Sequence, residues 1–358
     1  MSRPTVVDFF CGAGGFSEGF RQQGFTILKG YDKWRTAIDT FNFNFGKDTG
    51  VILDILNLES EEYIDYIESA IPDTDVIIGS PPCVSFSTSN RSGKADKSMG
   101  VRLIEVFLKI VVIKKYKKGS ILKAWYMENV AKSKDHTEDH YSFKDLGLEK
   151  WANKRRLKPS NTAIRLKGNT LVLNAADFGS PQQRLRAISG EVIKLGMMVE
   201  PVKVRSKDNY ITLGYIRSKL PPPNSKINDN PVKDPLYPNI TIRQNELTDH
   251  FYDSGLYECV WLDSRYLKIN HPYMGRMSFP ENENKPSRTI TATNIGSSRE
   301  ALIYKSEYHR KGNGEFRIPT VREAATIMSF PITYQFIASE GSKWKLVGNA
   351  VCPSVSRA

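Results

Sequence analysis

The first 130 residues alternate short strand-like runs with segments of helical periodicity. Thr5 to Phe10 is typical of a buried strand, Gly12 to Gly15 of a tight turn, and Phe16 to Gln23 of a helix that stops at Gly24. The alternation continues with strands near residues 26–31, up to 54, 75–78 and 121–127, and helices from 33, near 59–70 and at 101–116. This βαβ repetition predicts an α/β fold with a doubly wound, mostly parallel sheet.

A glycine-rich turn follows the first strand, in the run Asp8-Phe9-Phe10-Cys11-Gly12-Ala13-Gly14-Gly15. Glycines let the backbone turn sharply and approach a ligand at a helix N-terminus. The third glycine of a dinucleotide motif is replaced by Ser17, which disfavours NAD. A nucleoside with a small charged tail fits, with Asp32 and Asp54 available for ribose hydroxyls or an adenine amino group. A purely structural turn is the alternative.

The loop after the fourth predicted strand contains Gly79-Ser80-Pro81-Pro82-Cys83. Because two prolines fix the backbone just before it, Cys83 is a candidate nucleophile. The next strand ends at Met127-Glu128-Asn129-Val130, so Glu128 and Cys83 are expected at the same edge of the sheet. A carboxylic acid beside a thiol suits attack on an electron-poor ring that is protonated in the same step. A packed loop cysteine without chemistry is the competing interpretation.

Two arginines stand two positions apart in Gln182-Gln183-Arg184-Leu185-Arg186, at the start of an apolar strand. Side chains at positions i and i+2 of a strand lie on one face. Arg184 and Arg186 are therefore expected to form one fork of donors for a carbonyl or phosphate oxygen.

Charge is distributed unevenly along the 358 residues. Residues 1–90 carry 6 Lys+Arg and 13 Asp+Glu, net −7, residues 91–167 carry 20 and 8, net +12, and residues 168–358 carry 25 and 18, net +7. A strongly basic region is typical of a polyanion-binding surface, and a solvated basic face would give the same count. The longest apolar stretch, residues 103–113, contains Glu105 and Lys109 and is too short to span a membrane.

Cysteine and histidine spacing indicates neither a metal site nor a disulfide framework. The four cysteines lie far apart, with no CxxC pair, and the run from His136 to His140 lacks the HExxH order of a zinc site. A reduced, cytoplasmic environment is consistent with this pattern.

After Glu200 the composition and sequence pattern of the chain change. Prolines become frequent, at positions 221, 222, 223, 231, 235 and 238, and short aromatic runs such as residues 252–262 follow. These features predict a second, smaller, irregular and strand-rich domain. Helical periodicity returns only at residues 320–328, so the end of the chain is expected to rejoin the first domain.

Taken in order, these motifs resemble those of the 5-methylcytosine DNA methyltransferases. DFFCGAGG is similar to the family's first motif, PPC to its catalytic loop, ENV to its acid-bearing strand, QQRLR to its QxRxR motif, and RTIT (288–291) and GNAV (348–351) to its last two motifs. The resemblance implies a Rossmann-like, S-adenosylmethionine-dependent catalytic domain over residues 1–190. It also implies a target-recognition domain over 191–286 and a return to the catalytic domain over 287–358.

The resemblance also implies a mechanism in which a cytosine is flipped out of duplex DNA and methylated at carbon 5. Cys83 would add to carbon 6, Glu128 would protonate ring nitrogen 3, and Arg186 together with Arg184 would hold the carbonyl oxygen. The residues expected to line the S-adenosylmethionine pocket are Phe10, Gly12, Gly14, Gly15, Asp32, Asp54, Pro82, Asn349 and Val351.

Two positions depart from the family pattern. Gly30 stands where the family often has a glutamate that binds the ribose, so this contact is expected to pass to Asp32 or to water. Val84 replaces the glutamine that commonly follows the catalytic cysteine, which leaves open how this loop fills the space of the flipped base.

We therefore expect a DNA (cytosine-5-)-methyltransferase of a restriction-modification pair, acting as a monomer on double-stranded DNA at the nucleoid, in functional but not physical association with a cognate endonuclease. The first alternative is a tRNA cytosine methyltransferase on the same fold. Its expected Cys-Phe-Thr tripeptide is absent from the sequence. The second alternative, a catalytically inactive DNA-binding protein, is disfavoured because Cys83, Glu128 and Arg186 are all present.

Overall fold

The computed structural model describes residues 3–82, 97–270, 277–310 and 314–358. The chain divides into two compact units. The first comprises Met1–Leu173, Leu185–Val202 and Arg357, and the second comprises Asn174–Arg184, Lys203–Ser356 and Ala358. The division into segments 1–190, 191–286 and 287–358 rests on motif positions and stays a prediction.

A seven-stranded sheet forms the centre of the first unit. Its strands are β1 (Thr5–Phe9), β2 (Thr26–Asp32), β3 (Gly50–Ile52), β4 (Val76–Gly79), β5 (Ala124–Val130), β8 (Thr170–Asn174) and β9 (Leu185–Val192), and a separate pair is formed by β6 (His140–Ser142) and β7 (Thr162–Arg165). The helices are α1 (Gly15–Gln22), α2 (Arg35–Phe45), α3 (Ile64–Ser69), α4 (Lys97–Tyr116) and α5 (Glu149–Lys154). The strand order of the sheet is β3-β2-β1-β4-β5-β9-β8.

The pairing of the strands confirms the predicted fold class. β1 pairs in parallel with β2 and β4, β2 with β3, and β4 with β5, whereas β9 runs antiparallel to β5. Strand β4 is apolar and fully buried, and β1 is buried from Val6 to Phe9 with Asp8 as its one buried polar residue, as expected where helices cover both faces of a parallel sheet. Phe107 of α4 packs so closely on β4 that a Cβ at Gly79 would lie 2.4 Å from its ring. The carboxyl ends of β1, β2, β4 and β5 carry the loops of chemical interest.

The second unit consists of short helices, very short strand pairs and irregular chain. Its elements are α6 (Leu213–Lys219), β10 (Pro231–Lys233), β11 (Thr241–Arg243), α7 (Glu258–Ile269), β12 (Tyr304–Lys305), β13 (Phe316–Arg317), α8 (Val321–Ile327), α9 (Glu340–Asn349) and α10 (Pro353–Arg357). The pairs β10–β11 and β12–β13 are antiparallel.

Helix α7 differs from the strand-like interpretation of the aromatic run at 252–262. Trp261, Ser264 and Lys268 are its buried residues, at the spacing of one helical face. Buried residues three and four positions apart fit a helix, whereas a strand would bury every second residue. The helix predicted at residues 320–328 is present as α8.

No helix among the described residues is long and apolar enough to cross a membrane. Within the same part of the chain, no three His, Cys, Asp or Glu side chains are grouped in a way that could hold a metal ion.

Candidate active site

The glycine-rich turn between β1 and α1 has left-handed backbone at three positions. The φ angles are 56° at Phe10, 53° at Gly12 and 88° at Gly14, which is the N-cap of α1. Left-handed backbone suits glycine and is uncommon for phenylalanine. Ser80 supports Phe10, since its hydroxyl donates to the Phe10 carbonyl at 3.1 Å. A Cβ at Gly12 would meet no atom of the described residues within 4 Å, so as far as those residues go the backbone there borders open space that a ligand can occupy.

Asp32, at the end of β2, holds this turn in place. One carboxylate oxygen accepts the Gly12 N–H at 3.0 Å and the other accepts the Trp34 N–H at 2.8 Å. Burial raises the pKa of Asp32, and the two N–H groups oppose that shift. Each carboxylate oxygen retains a second lone pair, which is the acceptor that a ribose hydroxyl needs.

Phe41 explains the departure at Gly30. A Cβ at Gly30 would lie 2.5 Å from the Phe41 ring, which is fully buried. A glutamate at this position would therefore require Phe41 to move. Asp32, two residues further along β2, is the nearest carboxylate in this strand.

Asp54 lies just beyond β3 and remains accessible. Its Oδ1 accepts the Leu56 N–H at 3.2 Å, and its Oδ2 lies 3.7 Å from the Lys33 ammonium. The side chain is 39% exposed, so the carboxylate can accept a further donor such as an adenine amino group.

The predicted nucleophile Cys83 lies outside the described residues, which reach Pro82 on this loop. Pro81 is buried and Pro82 is exposed. Asn129 contacts the described part of this loop: its side-chain amide donates to the Pro81 carbonyl at 3.2 Å, and its side-chain oxygen accepts the Val130 N–H at 2.8 Å. The sequence analysis did not single out Asn129, although a buried amide beside Glu128 in a strand was the signal.

Glu128 and Arg186 lie together on neighbouring strands. In the antiparallel register of β5 and β9, Val130 faces Arg186 and Glu128 faces Ile188. The Arg186 Nε lies 2.9 Å from Glu128 Oε1, and the two side chains are 19% and 9% exposed. At this distance the opposite charges of the guanidinium and the carboxylate attract each other strongly. The pair presents a carboxyl group and N–H donors side by side.

Arg184 contacts a different set of partners. Its Nη1 donates to the Ile290 carbonyl at 2.9 Å, and its Nη2 donates to the carbonyls of Gly348 and Ala350 at 3.0 and 3.2 Å. β9 begins only at Leu185, so Arg184 does not share a strand face with Arg186. The single fork of donors expected from the sequence is therefore not what the structure shows: Arg186 pairs with Glu128 and donates its Nη1 to the Leu185 carbonyl at 2.7 Å, whereas Arg184 binds the carbonyls of Ile290, Gly348 and Ala350.

Asn349 and Val351, the last two residues expected at the cofactor, belong to the second unit. Asn349 is the exposed last residue of α9, whereas Val351 is buried. Their cofactor contacts stay a prediction.

Residues 4–358 match the family described as C-5 cytosine-specific DNA methylase. The chain belongs to this family. Among the relatives of this methylase, the type II methyltransferase M.DdeI of Desulfomicrobium norvegicum is 25% identical over 395 residues, covering 99% of this chain and 87% of that protein. The type II methyltransferase M1.HphI of Haemophilus parahaemolyticus is 27% identical over 376 residues, covering 99% and 85%.

The fold of this methylase is also found among solved structures. The Entamoeba histolytica methyltransferase EhMeth has a TM-score of 0.58 at 15% identity, covering 100% of this chain and 96% of that chain. The family and the relatives confirm the predicted DNA cytosine-5 methyltransferase, and they imply the use of S-adenosylmethionine. The RNA-directed alternative has the support of shared fold only.

Proposed function

We propose that this methylase transfers a methyl group to carbon 5 of a cytosine flipped out of duplex DNA, through a covalent Cys83 adduct, as the modification enzyme of a restriction-modification pair. The observation that carries the proposal is the Glu128–Arg186 pair at 2.9 Å. Ring nitrogen 3 and the carbonyl at carbon 2 are adjacent atoms of cytosine. A carboxyl group and a guanidinium held side by side match these two atoms.

The first unit contains residues that fit S-adenosylmethionine. The open backbone at Gly12, the helix N-terminus at Gly14 and the carboxylates of Asp32 and Asp54 suit a nucleoside with a charged amino-acid tail. The residues proposed to hold it there are Phe10, Gly12, Gly14, Gly15, Asp32, Asp54 and Pro82. Asn349 and Val351 are proposed from the family resemblance. When bound, S-adenosylmethionine supplies the methyl group as an electrophile.

The roles of the chain's own residues follow from the electron flow. The Cys83 thiolate forms a bond to carbon 6, and the electron pair displaced from the ring is stabilised as the Glu128 carboxyl donates a proton to nitrogen 3. Arg186 donates to the carbonyl oxygen and keeps Glu128 oriented. Carbon 5 is then nucleophilic and accepts the methyl group. Loss of the carbon 5 proton to solvent expels the Cys83 thiolate from carbon 6, and return of the nitrogen 3 proton to the Glu128 carboxylate leaves neutral 5-methylcytosine.

A trapping experiment tests this proposal. The DNA is made by a polymerase with 5-fluorocytosine in place of every cytosine. The recognition site need not be known in advance, because any target cytosine is then replaced. Fluorine at carbon 5 cannot leave as a proton does, so elimination is blocked and the protein should remain covalently attached to DNA when S-adenosylmethionine is present. Digestion and mass spectrometry should place the adduct on Cys83. Cys83→Ser should abolish it, because a hydroxyl is far less ionised than a thiol at neutral pH.

Cys259→Ser is the matched control, since Cys259 is an exposed free cysteine. It should trap DNA as the wild type does. Cys11 is buried, and burial raises the pKa of its thiol well above the usual value, so it stays protonated. An adduct on Cys259, Cys11 or Cys352, or normal methylation by Cys83→Ser in bisulfite sequencing, would show that the mechanism is wrong.

A further inference from the structure

Gln182 and Arg184 hold the backbone of Ile290 from both sides. The Gln182 side-chain oxygen accepts the Ile290 N–H at 2.8 Å, and Arg184 donates to the Ile290 carbonyl at 2.9 Å. The main chain reinforces this contact, because the Gln183 N–H donates to the Ser287 carbonyl at 2.9 Å. Gln182 is completely buried and Arg184 is 3% exposed. Buried polar groups in such an arrangement are costly to remove, since their partners lose a hydrogen bond without gaining water.

The same guanidinium also binds the end of α9. Its Nη2 donates to the carbonyls of Gly348 and Ala350, the two neighbours of Asn349. Gly348 in turn lies directly on the backbone of Thr291, where a Cβ would come within 2.3 Å of the carbonyl oxygen. We call Arg184 with its acceptors Ile290, Gly348 and Ala350 the arginine clasp.

We propose that Arg184 is a positioning residue that sets cofactor affinity through the segment 348–351, and that it does not contact the target base. The inference rests on the proposed function, in which Asn349 and Val351 contact S-adenosylmethionine. Both terminal nitrogens of Arg184 donate to backbone carbonyls, so the guanidinium is oriented by the clasp. Arg186, two residues further on, is oriented by Glu128 instead. The QxRxR motif is thus divided between a structural pair, Gln182 and Arg184, and a catalytic arginine.

Parallel lysine substitutions distinguish the two arginines. Arg184→Lys keeps the charge but removes the planar fork, so one ammonium cannot serve the three carbonyls in the same geometry. We expect the Kd for S-adenosylhomocysteine, measured by calorimetry, and the KM for S-adenosylmethionine to rise about tenfold, with kcat within about threefold of wild type. Arg186→Lys is the matched control. It should lower kcat by about tenfold or more and leave the cofactor Kd unchanged.

A double-mutant cycle tests the route through Asn349. Asn349 is exposed, so Asn349→Ala is not expected to disturb folding, and it should weaken cofactor binding by itself. If Arg184 acts through Asn349, the two losses should not add: the cofactor Kd of the double variant should be close to the higher of the two single-variant Kd values. Fully additive losses would contradict the inference. A kcat loss in Arg184→Lys at unchanged cofactor Kd would also overturn it, because that result indicates contact with the base.

Amide hydrogen exchange separates the clasp from the catalytic proposal. Without any ligand, the amides of residues 288–291 and 348–351 should exchange faster in Arg184→Lys than in wild type. In the wild-type enzyme, S-adenosylhomocysteine should slow exchange at Ile290 as well as at 348–351, a measurement that needs no variant. Protection at 348–351 without any change at Ile290 would overturn the inference. Absence of DNA methylation by the wild type would overturn the proposed function. The arginine clasp would then be tested by the ligand-free exchange comparison of Arg184→Lys with wild type.

Discussion

At the scale of single residues, Asp8 on β1 is a buried carboxyl group with an unusual protonation state. It is completely buried, and the Ser17 hydroxyl donates to it at 2.7 Å. Burial raises the pKa of Asp8 to about 8, and the nearby charge of Asp32 acts in the same direction. The folded protein therefore holds this proton at neutral pH, whereas the unfolded chain ionises near pH 3.8. The contribution of Asp8 to stability is complete below pH 3.8 and is lost as the pH rises through 8.

Asp8→Asn tests this assignment, because asparagine keeps the shape and does not ionise. We expect the stability of the variant relative to wild type to increase between pH 5 and pH 8, by up to about 1.4 kcal/mol per pH unit. Urea unfolding followed at several pH values measures this difference. Identical pH dependence of the two proteins would show that Asp8 is ionised in the folded state.

At the scale of elements, the sequence predicts those whose pattern is local. β1 and α1 follow from an apolar run, a glycine turn and a helical period, and α8 follows from the period at 320–328. Helix α7 was missed because its aromatic residues also suit a strand. The hydrogen-bond partners of Arg184 could not be predicted from the sequence, because they lie 106 to 166 residues away in the chain. The Glu128–Arg186 pair was predictable only in part: strand order brings them to one edge, but the antiparallel register decides which arginine meets the acid.

The N-terminal cap of helix α8 offers a test of local stabilisation in the second unit. Its N-cap, Thr320, accepts the Glu323 N–H, and the Glu323 carboxylate accepts the Thr320 N–H, which is a capping box. The Thr320 hydroxyl also contacts the ring of buried His250 at 3.0 Å. Thr320→Ala should lower the unfolding free energy by about 2 kcal/mol, since a cap is lost and a buried ring nitrogen loses its partner. Thermal and urea unfolding measure this loss.

Ser339→Ala is the control for this prediction. Ser339 is the N-cap of α9 but makes no side-chain capping bond. Its replacement should change stability by less than about 0.5 kcal/mol. Equal losses at both positions would mean that the capping box at α8 contributes nothing specific.

At the scale of the whole molecule, the distribution of charge predicts where DNA phosphates are neutralised. Residues 91–167 carry net +12, as much as the entire chain. Among these cations, Arg102 lies 2.5 Å from Glu59 and forms an ion pair with it. Lys132 and Lys134 are exposed on the turn that follows β5, a few residues beyond Glu128. Under the proposed function, a phosphate next to the flipped base would lie close to Glu128, so these two lysines are the better candidates.

Lys132→Gln and Lys134→Gln should each reduce the salt dependence of DNA binding. Every phosphate contact contributes about 0.9 to the slope of log K against log salt, so each substitution should flatten the slope by about one. Fluorescence anisotropy with a duplex at several salt concentrations measures this. Lys47→Gln is the control, because Lys47 is also exposed but lies in the acidic region 1–90, and the slope of this variant should equal that of wild type. If the Lys47 variant flattened the slope as much as the other two, the affinity would depend on net charge alone and not on a phosphate site beside Glu128.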